Sequence, residues 1–364
     1  MAPENRILDC HVHLRRLSEV ENLETIREYV GAERMNLVCI FSRGNVNDNH
    51  AAFVAKSERP DRYFVFGSLD HASQFMPGRI STPPLAEQLE RLIGIGCDGM
   101  KMLENKPTHR KLVDIPIDGP YFADYFTYVE SSGFPILWHV CDPEEFWDPE
   151  TTPHWAKVRG WGYDETFMPK EALYAEVENV LKRHPMLKII FAHFYFMSAD
   201  LHRAAEFFDR FPGVHFDLAP GIEFLYNMSK HPDSAREFFI KYSDRILFGT
   251  DISSTHTREE ARLRTGIVTR WLETEDEYRV PEGADFVLGP PEDGVMRGLA
   301  LPDDVLRKIY SGNFERLVGS KPRELSALLA AEECRRVAAE VSILAGTNTE
   351  DTEAAQAAMR LTKE

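Results

Sequence analysis

The sequence predicts an α/β protein, a closed (β/α)₈ barrel of the TIM type, with its site at the C-terminal ends of the strands. Three observations predict it. Short apolar runs alternate with longer helical patterns, as parallel β-α units do. Eight such runs occur, and eight units close a barrel of about 250 residues. Several of the runs end on His or Asp, where barrel active sites form.

The strand segments in order are Ile7–His11, Leu37–Phe41, Tyr63–Leu69, Gly99–Leu103, Pro135–Val140, Lys188–His193, Val214–Leu218 and Ile246–Thr250. Each is too short for an ordinary helix, and most are bounded by Gly, Pro or Asp. Helical patterns lie between them at Pro84–Ile93, Tyr121–Ser131, Lys170–Lys182, Ala199–Arg210 and Ser234–Tyr242. Residues 1–321 are assigned to the barrel. Two insertions interrupt it. The first, 142–168, is rich in Trp, Pro and charge and is expected to lie over one barrel mouth. The second, 274–302, contains the turn signal GPPEDG. The remainder, 322–364, is an Ala-rich tail, expected to be helical to about Leu344. Beyond GTNTEDTE it is expected to fray or to dock on another subunit, which leaves room for a homodimer.

Composition narrows the function. The 364 residues carry 42 Lys+Arg against 59 Asp+Glu, a net charge of −17. Nucleic acid and anionic membranes call for a basic surface, so neither is the expected partner. The apolar fraction of 43% and charged fraction of 28% are those of a globular chain. No secretory h-region and no membrane-length apolar run is visible. The five cysteines are widely spaced with no CxxC pair. A disulfide framework is not expected, and a reducing cytoplasm is the expected compartment.

The chemistry begins at the first strand, which ends DCHVH. Strand side chains alternate, so Asp9, His11 and His13 are expected on one face. Two imidazoles this close on a rigid strand make a metal-binding pair. His139 then ends the fifth strand (PILWHV), His193 the sixth (KIIFAH) and Asp251 the eighth (RILFGTD). Four His and one Asp at C-terminal strand ends would converge on one mouth of the barrel.

The order HxH, His, His, Asp resembles the amidohydrolase superfamily. The segments DCHVH, ILWHV, IIFAHF, RILFGTD and IYSGNFERLVG resemble its amidohydrolase-related branch (amidohydrolase 2), over roughly residues 6–319. That branch also contains aminocarboxymuconate-semialdehyde decarboxylase and the resorcylate-type decarboxylases. The resemblance implies His11, His13, His139 and Asp251 as ligands of one divalent transition metal. Zinc is expected first, with manganese or iron as alternatives. It implies His193 as the residue that polarises the substrate or positions water, and Asp251 as proton acceptor. Asn313 and Arg316 match a structural closing motif. Some relatives place a carboxylated Lys where Lys101 stands, bridging two metals; one metal is the expectation here.

The implied activity is hydrolysis of a C–N or C–O bond of a small organic acid, amide or lactone by metal-bound hydroxide. The alternative is non-oxidative decarboxylation of an aromatic or unsaturated acid. The resorcylate-type enzymes begin with an acidic residue where His11 stands, which counts against that alternative. Arg15 and Arg43 follow the first two strands and are candidates to hold a substrate carboxylate, as is Lys101. Trp138 and Trp161 belong to an aromatic cluster that could stack on a flat substrate, or else form the core of the insertion. Asp9 is expected either to orient a ligand or to cap backbone.

Overall fold

The structure is a computed structural model that describes residues 6–220, 223–280 and 294–363. Most of the GPPEDG turn lies outside the described residues.

The eight apolar runs form β1 (Leu8–His13), β2 (Arg34–Val38), β3 (Tyr63–Ser68), β4 (Gly99–Asn105), β5 (Ile136–Val140), β6 (Ile189–Phe191), β7 (Val214–Asp217) and β8 (Ile246–Leu247). A two-residue continuation is β9 (Ile252–Ser253). All pair in parallel, in the order β8-β7-β6-β5-β4-β3-β2-β1-β9. The two ends of this sheet are halves of one chain segment. On one side the Leu218 amide donates to the Leu247 carbonyl. On the other, the Cys10 amide donates to Phe248 and the Asp251 amide to His11, each at 3.0 Å. The eighth unit therefore closes the barrel, bonding β7 with its first half and β1 with its second. The break falls at Asp251, whose φ of 55° takes the chain off the strand path.

Side-chain alternation builds two apolar layers. Leu8, Cys10, Val38, Phe64, Phe66, Leu137, Ile190, Ala192 and Leu247 form one, closed off by Phe314. The Phe314 ring lies 5.0 Å from Phe64, and the Asn313 amide donates to the Ser243 and Ile246 carbonyls at 2.7 Å. The larger layer lies between sheet and helices. Trp138 belongs to that outer layer, stacked between Phe126 and Phe191 at 5.7 and 5.9 Å. It does not line the mouth as expected, because alternation sends it opposite to its neighbour His139.

β1 departs from simple alternation. Its pairing with β2 slips between Asp9 and Val12. Leu8 and Cys10 face the inner layer; past the slip Val12 joins the outer layer. His11 and His13 reach the site, but Asp9 is not with them. Its carboxyl instead accepts the Thr250 hydroxyl at 2.5 Å and the His11 and Thr250 amides at 3.1 and 3.2 Å. Of the two roles expected for Asp9, it has the backbone-capping one.

The 142–168 insertion folds around its own small core of Phe146, Ala156 and Tyr163, ringed by Trp147, Trp155, Trp161 and Phe167. The tail forms helices Ala327–Ala345 and Glu353–Thr362. The second neither frays nor projects. It lies on the barrel's own helix Asn49–Glu58, burying Ala354, Ala357, Ala358 and Leu361. Their i, i+3, i+4, i+7 spacing is that of one helical stripe. All five cysteines are buried and unpaired. Among the described residues no helix is long and apolar enough to cross a membrane.

Candidate active site

β1 carries His11 and His13 to the barrel mouth, and the break in the eighth segment carries Asp251. Their donor atoms all lie within 4.8 Å of one another. Asp251 Oδ1 is 3.2 Å from His13 Nε2 and 3.7 Å from His11 Nε2. Both rings have an assigned tautomer. His11 Nδ1 lies 2.7 Å from the Asp217 carboxylate and His13 Nδ1 lies 3.0 Å from the Val38 carbonyl. Those partners only accept, so each Nδ1 carries the proton and each Nε2 presents its lone pair.

Burial lowers both imidazoles to about 3, so they are neutral at pH 7. Burial alone would push the Asp251 carboxyl up. As pH falls the His11, His13 and His193 rings take up protons first; the hydrogen bond His13 then donates and the ring charges outweigh burial and hold the carboxyl well below the usual carboxylate range. Two neutral imidazole nitrogens and one carboxylate at short range fit a divalent transition ion.

His139 ends β5 beside this group rather than inside it. Its ring is 4.7 Å from that of His193, which is 5.2 Å from that of His11. His139 Nε2 is 3.0 Å from the Cys141 carbonyl and 3.2 Å from Asp142 Oδ1. Only its Nδ1 is left for any other partner. Burial holds its pKa well below the ordinary value.

His193 donates from Nδ1 to the Ala219 carbonyl at 3.0 Å, which leaves Nε2 as an acceptor at the cleft. Burial lowers it to about 4. It opens a run of four residues in the left-handed region, His193 to Phe196, with φ between 48° and 57°. L-residues avoid that region by about 1–2 kcal/mol each. The turn is held by the Asp217 carboxylate on the His193 amide (2.8 Å) and by the Tyr174 hydroxyl on the Tyr195 carbonyl (2.9 Å).

Sequence reasoning missed two groups. Asp217 ends β7 as VHFD, so a strand closing on a carboxylate was the available signal. It joins the His11 ring to the His193 backbone. The second is Asp142, whose two oxygens each lie 2.6 Å from the buried Lys106 ammonium and which also accepts the Tyr163 hydroxyl. No local pattern pairs residues that far apart.

The cleft above the donors has a volume of about 490 Å³. Its lining includes Arg15, Lys101, Lys106, Arg159 and Arg264, with Asp251 as the acidic residue, and Ile40, Leu103 and Trp161 as apolar walls. A chain of net charge −17 thus opens onto a basic cleft. Lys101 is fully buried, with Nζ 3.3 Å from His11 Nε2. Burial lowers it to about 8, against the pull of Asp217 and Asp251. Glu104 pairs with His71 at 2.9 Å. Arg15 is 3.6 Å from Asp48. Trp161 lies under Lys106 at 4.6 Å. Arg43, a candidate for the carboxylate, is exposed and is not among the cleft-lining residues.

A family model for amidohydrolases matches residues 9–320. Among solved structures, one of amidohydrolase II gives a TM-score of 0.52 at 14% identity, covering 86% of this chain and 99% of its own. The 5-carboxyvanillate decarboxylase of Sphingomonas paucimobilis gives 0.51 at 13% identity, with the same coverages. At these identities the likeness is one of fold. No curated protein matches the chain by sequence.

Proposed function

The chain belongs to the amidohydrolase family, and from that premise we propose that it hydrolyses a C–N or C–O bond of a small organic acid, amide or lactone. The observation that carries the reading is the convergence of His11, His13 and Asp251 at the floor of a basic cleft. These three, with His139 as a fourth donor, would hold one divalent cation, zinc before manganese or iron. Bound there, such an ion lowers the pKa of water from about 15.7 toward 7 and polarises a carbonyl.

The protein's own groups supply the rest. Asp251, kept ionised by its neighbours, accepts a proton from the attacking water and returns it to the leaving group. His193 Nε2, fixed by the bond from Nδ1 to Ala219, orients that water or the substrate oxygen. Arg15 and Lys101 hold the substrate carboxylate, and Trp161 forms an apolar wall. The basic cleft in an acidic protein concentrates anions at the site.

Lys101 also favours a second reading, non-oxidative decarboxylation. That reaction must end by delivering a proton to carbon, and a buried ammonium lowered to about 8 is a proton donor at neutral pH. Asp251, held as carboxylate, favours hydrolysis. The deciding experiment incubates metal-loaded protein with N-acyl amino acids, lactones and hydroxybenzoates while following acid or amine release and CO₂ in parallel. Hydrolysis products without CO₂ are expected. CO₂ release selects the second reading, and a protein that binds no transition metal loses both.

A further inference from the structure

The family match stops at residue 320, yet the chain continues as an ordered extension packed along the barrel's helices Asn49–Glu58 and Leu85–Ile95. It is seated closely from its start. The Arg323 amide donates to Asp98 at 2.7 Å and the Ser326 amide to the Ile95 carbonyl at 2.8 Å. A Cβ on Gly96, whose φ is 105°, would lie 2.1 Å from the Glu324 carbonyl oxygen, so the extension requires glycine there.

Further along, Val337, Ala338 and Val341 pack on Val46, Ala72 and Ile80. Val46 belongs to a short hairpin, Phe41–Ser42 with Val46–Asn47, that follows β2. It is fully buried and adopts a φ of 59°, a conformation β-branched residues avoid. The Asn47 amide closes a tight turn onto the Asn45 carbonyl at 2.6 Å, and the Asn45 side chain donates to the Asn47 carbonyl and Asp48; these bonds hold that backbone while the extension buries the Val46 side chain.

Leu344 links the extension to residues beside the cleft. It packs against both this cluster and a second one of Phe41, Phe75, Leu103 and Val113, on which Ile40 also rests. Ile40 and Leu103 line the cleft. Phe41 meets the ring of His109, another lining residue, at 4.9 Å. The Asp48 amide, at the end of the hairpin, donates to the Ile40 carbonyl, and the Asp48 carboxylate faces Arg15.

We propose that the 322–364 extension is a working part of the substrate cleft, with Leu344 as the positioning residue that holds the wall of Ile40, Leu103 and Arg15 in place. The proposal rests on the cleft being the substrate site of an amidohydrolase-family enzyme that takes small acids. The extension thus sets the width of the cleft from behind and touches no reacting atom.

The test uses the full-length zinc-loaded protein and three variants. Leu344→Ala removes the contact, Leu344→Met retains its volume, and Ile343→Ala changes an exposed neighbour. Amide hydrogen exchange is followed across 40–48 and across β5–β7, and benzoate serves as a plain monoacid probe in calorimetry. In Leu344→Ala, exchange across 40–48 is expected to quicken about ten-fold while β5–β7 is unchanged. Benzoate affinity is expected to fall about five-fold, through a misplaced wall. Leu344→Met and Ile343→Ala should behave as the unaltered protein.

Unchanged exchange across 40–48, or equal benzoate affinity in both alanine variants, overturns the proposal. So does uniform quickening through the barrel, which makes Leu344 merely structural, or an unaltered protein that binds no benzoate. Zinc content, measured alongside, tests the enzymatic reading separately. Its loss would sink that reading and leave the exchange comparison standing.

Discussion

Asp217 Oδ2 lies 2.7 Å from His11 Nδ1, while Asp217 Oδ1 accepts the His193 amide at 2.8 Å. One carboxylate thus fixes a proposed ligand ring and the entry to the left-handed turn that aims His193. Burial raises Asp217 to about 6, and the bonds around it oppose the rise. Asp217→Asn leaves one acceptor oxygen for two tasks. Metal affinity should fall about 10- to 100-fold, as when other outer partners of ligands are lost. Chelator competition measures it, and an unchanged affinity contradicts the assigned role.

His193→Ala should separate binding from turnover. The His11, His13 and Asp251 group does not include His193, so metal content should hold. Turnover should drop by about 10²–10³, the range for losing a positioned acid–base or oxyanion group. Metal lost together with activity would make His193 a ligand.

Lys101→Met should shift two quantities in opposite directions. The ammonium lies 3.3 Å from the His11 nitrogen that a metal would use. Removing that charge should raise metal affinity about ten-fold. It should weaken benzoate binding by a similar factor, because a charge-assisted bond is lost. Parallel changes in both would refute the assigned placement.

Metal retention should also report the burial of the rings. Protons compete for an imidazole only near its own pKa. The folded values of His11 and His13 are lowered to about 3, so their neutral form persists far below the ordinary His range. Apparent metal affinity, read by chelator competition at each pH, should therefore stay flat in its ring contribution from about pH 7 to pH 5, whereas unperturbed rings would lose affinity progressively below about 6.5. A decline that begins near pH 6.5 would mean exposed rings.

Much of this site was legible in the residues. Four strand ends carrying five donors stand out because each apolar run closes on a group with no place in a core. Trp138 and Arg43 were misplaced for opposite reasons. Trp138 neighbours an inward His and must point outward, which strict counting along β5 would have revealed. Arg43 follows a strand, but the hairpin after it carries the side chain to the exposed surface. The second tail helix had a readable Ala/Leu stripe, yet a stripe does not say which surface it covers.

By itself the sequence determined the barrel, the strands that carry donors and the sign of the protein's charge, since these follow from local periodicity and composition. Tertiary structure alone decided that β1 slips beside Asp9, that Asp217 binds His11, that His139 turns Nε2 toward Asp142, and that the extension backs the cleft. Each depends on which distant segments meet, and a one-residue change of register or a side chain's choice among partners leaves no trace in local pattern.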